Sequence, residues 1–154
     1  MKITDFLDPR AITLKLEATD KEGVLNELVN RLASVKDLGD KKSVVKSLID
    51  RENLGSTGIG QGIAIPHGKT DKVKELCACL GISHKGVNFD SLDGEPVYIF
   101  FLLVAPKDSA GPHLKALARV SRLLRDSYFC QLLRNAKSDK DAYQLIASEE
   151  DKKP

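Results

Sequence analysis

The sequence predicts a single α/β domain, with a mixed central sheet of about five strands flanked by helices on both faces. Three observations point there. Residues 97–105 are apolar without a polar face, as a strand is when both its faces are covered. Residues 20–35 and 40–53 instead repeat apolar side chains at helical spacing. Strand-sized and helix-sized segments then alternate with no internal repeat and no linker, and 154 residues suffice for one domain with its own core.

Composition narrows the function classes. Hydrophobic residues make up 42% and charged residues 30% of the chain, an ordinary soluble balance. The net charge is +2, and no basic run exceeds a pair or accompanies a stacking platform, so no nucleic-acid partner is expected. No segment approaches the ~20 apolar residues that span a bilayer, and the first residues lack a secretory pattern. No membrane insertion and a cytoplasmic location are therefore expected. The three cysteines are Cys77, Cys79 and Cys130. Cys77 and Cys79 alternate on one strand face, where their side chains diverge from disulfide geometry, so all three read as small buried hydrophobes. A Cys-x-Cys metal site lacks a second ligand pair, and neither metal nor cofactor is expected.

Taken in order, residues 3–7 give a short helical turn stopped before Pro9, and residues 11–16 alternate as a strand. Asp20 caps a helix to about Val35, with Val24, Leu25, Leu28, Val29 and Leu32 as its apolar stripe. A second helix starts near Asp40, carries Val44, Val45, Leu48 and Ile49 inward, and ends around Asn53 before Gly55. Arg51 lies in its last turn. Ile63, Ala64 and Ile65 form a short strand that Pro66 ends, because proline cannot donate to a ladder. Strands over 76–82 and 97–105 follow, separated by a turn-rich excursion through Asp93-Gly94. After a loop, His113 opens a helix carrying Leu114, Leu117, Val120 and Leu124. A helical piece spans 128–133, and Ser138 or Asp139 caps a last helix through Ile146. The domain closes at residue 148, and residues 149–154 read as a frayed polar tail.

Chemistry concentrates in Gly55-Ser56-Thr57-Gly58-Ile59-Gly60-Gln61-Gly62-Ile63-Ala64-Ile65-Pro66-His67-Gly68-Lys69. A phosphate-binding P-loop needs its first glycine at position 63, and a dinucleotide fingerprint needs glycine there too; both fail on Ile63. His67, on a stiff elbow behind proline, suits a nucleophile that accepts a phosphoryl group, because imidazole keeps a free lone pair near neutral pH. Such a transfer asks for placement and charge compensation. Arg51 supplies a guanidinium fork, His113 stands at a helix start that favours anions, and amides of the glycine loop add donors. Gly58, Gly60 and Gly62 support that loop. Lys69 and Thr70 read as the exit from the strand, and His84, in a polar turn, has no role. Ile59 is a candidate contact for a partner, whereas Ile63 and Ile65 belong to the core.

The run from Gly55 through Pro66-His67-Gly68 resembles the active-site signature of the fructose/mannitol-type enzyme IIA family of the bacterial phosphotransferase system. The resemblance extends to Asp93-Gly94-Glu95-Pro96-Val97 and to Ser138-Asp139 with Tyr143-Gln144-Leu145-Ile146. It implies a mixed sheet flanked by helices and phosphorylation at His67, with Arg51 and His113 assisting at matching spacings. It also implies an HPr-like phosphocarrier as donor, and an EIIB domain or a regulated protein as partner. The Gly-Ser-Thr-Gly-Ile-Gly run, Leu102-Leu103-Val104-Ala105-Pro106, and the absence of a fused B or C domain resemble the nitrogen-regulatory branch most. A sugar-specific EIIA, or a module that binds partners without being phosphorylated, are the alternatives.

Overall fold

The computed structural model describes residues 1–152. A 3-10 turn, Ile3–Asp5, leads into β1 (Leu7–Thr13), α1 (Lys21–Ala33) and α2 (Lys41–Asn53). Then come β2 (Gly58–Gly60), β3 (Ile63–Ala64), β4 (His67–Thr70), β5 (Cys77–Val87) and β6 (Val97–Pro106). Helices α3 (Ala110–Leu123), α4 (Ser127–Arg134) and α5 (Asp139–Lys152) complete the chain. The mixed sheet has six strands where the sequence suggested about five, in the order β1-β5-β6-β3-β2, with β4 also paired to β6.

Strand β6 is the axis of the sheet. It pairs antiparallel with β5 and parallel with both β3 and β4. Its pleat splits the core in two. Ile99, Phe101 and Leu103 face a layer formed by α3, α4 and α5, whereas Phe100, Leu102 and Val104 face α1 and α2. This is why the run lacks a polar face. Cys77 and Cys79 share the α1/α2 side with these residues, unpaired and buried, as expected. Burial pushes their thiols up to about 11 and about 12, which keeps them as inert thiols.

Both early helices begin where the capping residues put them. Asp20 Oδ1 accepts from Gly23 N–H at 2.8 Å, and Asp40 Oδ1 accepts from Lys42 N–H at 3.0 Å. Strand β1 starts earlier than the alternation suggested and runs through Pro9. It tolerates proline because it is the edge strand, and its register with β5 is irregular between Leu7 and Ile12.

Three expectations around the glycine loop need correction. The loop is not free: Gly58–Gly60 is itself a strand, folded back on β3 as a hairpin. Its two-residue turn, Gln61-Gly62, has φ of +59° and +81°, and positive φ at both positions is what a right-twisted hairpin turn requires. His67 does not stand beyond a finished strand, and Lys69 and Thr70 are not its exit; all three belong to β4. Pro66 interrupts pairing without ending it, because its carbonyl still accepts from Leu103 N–H at 2.9 Å. The partners Ile63–Ile99 and His67–Leu103 keep the same offset, so β3 and β4 are one strand with a gap.

The expected tail is also helix. Ser138 caps α5, its Oγ accepting from Asp141 N–H at 3.0 Å, and the helix continues to Lys152. It continues because Glu150 is buried and accepts from Ile3 N–H at 2.7 Å and Thr4 N–H at 3.4 Å. Arg119 Nε lies 3.5 Å from the same carboxylate. Residues 153 and 154 of that tail lie outside the described residues. Glu150→Ala should cost about 2 kcal/mol in urea unfolding, since it strips a buried amide of a charged acceptor. A loss under about 0.5 kcal/mol, the range of ordinary surface substitutions, would contradict this account.

Candidate active site

His67 is fixed by two contacts made by opposite edges of its ring. Nδ1 lies 2.8 Å from the Ile65 carbonyl, and Arg51 Nε–H donates to Nε2 at 3.3 Å. A carbonyl only accepts and a guanidinium only donates. Together they place the proton on Nδ1 and leave the lone pair on Nε2. The His67 pKa is lowered, first by burial and further by the Arg51 charge, against the opposing pull of the Ile65 carbonyl. The neutral, nucleophilic form is thereby favoured at neutral pH.

Arg51 reaches the ring from the last turn of α2, and its Nη1 donates to the Gly55 carbonyl at 2.8 Å. The next residue closes the same corner. Glu52 is 4% exposed, and its carboxylate accepts from Thr57 N–H at 3.1 and 3.2 Å and from the Thr57 hydroxyl. Lys21 Nζ stands 3.4 Å from it.

His113 packs its ring edge-on against His67, with centroids 5.5 Å apart and planes at 71°. It is 4% exposed, and its Nδ1 is buried with no hydrogen-bond partner among the described residues. Burial first, then the His67 ring and the Lys69 ammonium, push its pKa down from 6.5 to about 4. The helix α3 opens at Ala110, so His113 lies within the first turn and its own N–H donates to the Ser109 carbonyl at 3.1 Å. The amides free to meet an anion are therefore those of Ala110 and Gly111, since Pro112 has none.

Thus the fold brings Arg51, His67 and His113 together, as the sequence reading expected. Three amides of the glycine loop are already engaged. Thr57 N–H is taken by Glu52, Gly58 N–H by Ser56 Oγ at 3.0 Å, and Gln61 N–H by Asp93 Oδ2 at 2.9 Å. Gly58, Gly60 and Gly62 serve the hairpin; a Cβ at Gly58 would strike Ser91 Oγ. Ile59 is about half exposed, Ile63 and Ile65 are buried, and Leu54 and Leu114 are exposed beside Arg51 and His113. Sequence reasoning missed Glu52 and Thr57. A carboxylate in the last turn of a helix opposes the helix dipole, which was the available signal that Glu52 has another partner.

Residues 5–149 match the family model described as phosphoenolpyruvate-dependent sugar phosphotransferase system, EIIA 2. The chain belongs to this EIIA family. A nitrogen regulatory protein of Bradyrhizobium diazoefficiens is 38% identical over 147 residues, covering 96% of this chain and 95% of its own. The fructose-specific EIIABC component of Bacillus subtilis is 39% identical over 152 residues, 99% of this chain but 24% of that protein. Among solved structures, nitrogen regulatory protein IIA-Ntr from Neisseria meningitidis superposes with a TM-score of 0.87 at 30% identity, covering 94% of this chain and 98% of that one. IIA mannitol from Escherichia coli, 21% identical, shares the fold at a TM-score of 0.77, with 90% of this chain and 97% of that one covered. Among the described residues of this EIIA chain, no helix is long and apolar enough to cross a membrane.

The His113 shift has a stability consequence. Its folded pKa lies below the unfolded value, so the unfolded chain binds the proton more readily between about pH 6.5 and about 4. Stability from this group is complete above pH 6.5 and is lost as pH falls toward 4. Urea unfolding of the native chain and of His113→Gln at pH 7 and pH 5 should show the smaller acid-side loss in the variant. Equal losses would remove His113 from the acid response.

Proposed function

We propose that this EIIA chain is a phosphocarrier in which His67 Nε2 takes a phosphoryl group from the phosphohistidine of an HPr-type protein. The observation that carries the reading is the pair of ring contacts, which leaves one nitrogen of His67 with a lone pair and orients it. In the transfer the phosphorus–nitrogen bond of the donor breaks, its electron pair stays on the donor ring, and a bond forms to Nε2. The proton stays on Nδ1, hydrogen-bonded to the Ile65 carbonyl. Arg51 Nε–H occupies the lone pair at rest. At 3.3 Å that bond is long, so the guanidinium can exchange it for phosphoryl oxygens as the group arrives. His113, neutral and dry beside it, offers a ring N–H to the developing charge, and burial makes each of these contacts stronger than in water. The donor docks over the exposed Ile59, Leu54 and Leu114 and keeps water from the new bond.

Two acceptors suit a phosphorylated form. The nitrogen-regulatory relatives match along nearly their whole length, which supports a regulatory role exercised in the cytoplasm through partner proteins. The fructose-specific relative is equally similar in sequence, and IIA mannitol forms a complex with phosphorylated IIB mannitol, which supports a sugar-specific EIIB acceptor.

Intact-mass measurement after incubation with phosphoenolpyruvate, enzyme I and an HPr-type carrier should show an acid-labile gain of one phosphoryl group (~80 Da), absent from His67→Ala. No gain with any such carrier would overturn the phosphocarrier reading. Arg51→Lys keeps the charge but loses the fork and should slow uptake by about 100-fold or more. Adding a fructose- or mannitol-type EIIB to the phosphorylated protein separates the acceptors: loss of the ~80 Da marks the sugar-specific role, and retention favours regulation.

A further inference from the structure

We propose that Glu52 is a positioning residue for phosphoryl uptake, acting through Arg51 by clamping the chain between them and Thr57. The inference rests on the reading of His67 as the phosphoryl acceptor. Its basis is how the corner beyond α2 is closed. Arg51 is steered by two acceptors, His67 Nε2 and the Gly55 carbonyl. The Gly55 carbonyl belongs to a segment that leaves the helix with φ of +148° and no side chain to anchor it. Gly55 N–H donates back to the Glu52 carbonyl at 3.0 Å, which fixes the N-terminal side of that residue. The other side is fixed by the Glu52 carboxylate gripping both the amide and the hydroxyl of Thr57. Thr57 in turn gives its carbonyl to Ile65 N–H at 3.1 Å, the residue whose carbonyl holds His67 Nδ1. One buried carboxylate therefore joins the segment that aims Arg51 to the segment that orients His67.

Charge explains why the group is a carboxylate. An anion at a helix C-terminus and nearly out of solvent is costly unless it is paired and hydrogen-bonded. Here Lys21 Nζ supplies the counter-charge at 3.4 Å, itself held over the Phe89 ring at 5.1 Å and shared with the exposed Asp90. A neutral amide of the same shape loses the pairing with Lys21 and can no longer accept from Thr57 with both atoms. Glu52 then stops constraining Gly55, and Arg51 leaves the arc from which it meets both the resting lone pair and the arriving oxygens.

The test compares the native chain with Glu52→Gln, Thr57→Val and Thr57→Ser in phosphoryl uptake from the HPr-type donor, alongside NMR of the Arg51 Nε–H signal. Glu52→Gln and Thr57→Val should each lower kcat by about 10- to 100-fold, with KM for the donor within twofold, because misplacement of a charge-stabilising group acts on the transition state. Thr57→Ser, which keeps the hydroxyl, should recover most of what Thr57→Val loses. The Arg51 Nε–H of Glu52→Gln should exchange with water about 10-fold faster than in the native chain. A native Arg51 signal and a kcat within twofold in Glu52→Gln, whatever its loss of stability, would overturn the proposal. A native chain that takes no phosphoryl group at all is a different failure. It sinks the acceptor reading, while the Arg51 exchange rate still decides whether Glu52 holds Arg51.

Discussion

The hydrogen bond between His67 Nδ1 and the Ile65 carbonyl is the interaction on which the site depends. It exists because the strand that β3 and β4 share is interrupted for two residues. Within an unbroken ladder, backbone carbonyls have partners in the neighbouring strand. At Ile65 and Pro66 the regular ladder with β6 is broken, Pro66 having no N–H to give although its carbonyl still accepts from Leu103, and it resumes at His67 with its offset intact. The interruption turns one carbonyl toward a side chain while the flanking residues stay bolted to β6, buried on both faces. The His67 imidazole and its rigid scaffold are thus neighbours in the same strand, and the ring is aimed by the strand itself.

Burial does the rest of the electrostatic work. His67 and His113 pack edge to face where neither holds a proton readily, and a guanidinium stands beside them. Three cationic groups crowded into a dry corner would repel one another; two neutral imidazoles and one cation do not. The buried carboxylate of Glu52 lies just outside this group, its charge absorbed by Lys21 and Thr57.

Much of this was legible in the sequence. The apolar run of β6, the stripes of α1 and α2 and their Asp caps are local patterns, and they placed the layers correctly. The gathering of Arg51, His67 and His113 in one corner was legible through residue chemistry and the resemblance of the Gly55–Gly68 run, not through periodicity. What stayed hidden depends on tertiary pairing. Gly58–Gly60 is too short and too glycine-rich to announce itself as a strand, and only β3 and Asp93 make it one. Pro66 ends a strand by local rules, yet here the ladder reforms beyond it because β6 continues alongside. Glu149-Glu150-Asp151 has the composition of a tail, and it is the Ile3 and Thr4 amides, at the far end of the sequence, together with Arg119, that hold Glu150 in a buried place.

That last contact bears on how such a domain can be carried. Lys2 and Asp151 lie 3.3 Å apart, next to the Glu150–Ile3 bond, so chain entry and chain exit share one corner. A unit built this way hangs from a longer polypeptide like a pendant, instead of being strung into it as a bead. The Bacillus subtilis relative, of which this chain spans 24%, shows that the same kind of sequence occurs inside a much larger protein. Paired ends let one architecture serve both settings without redesign of its interior.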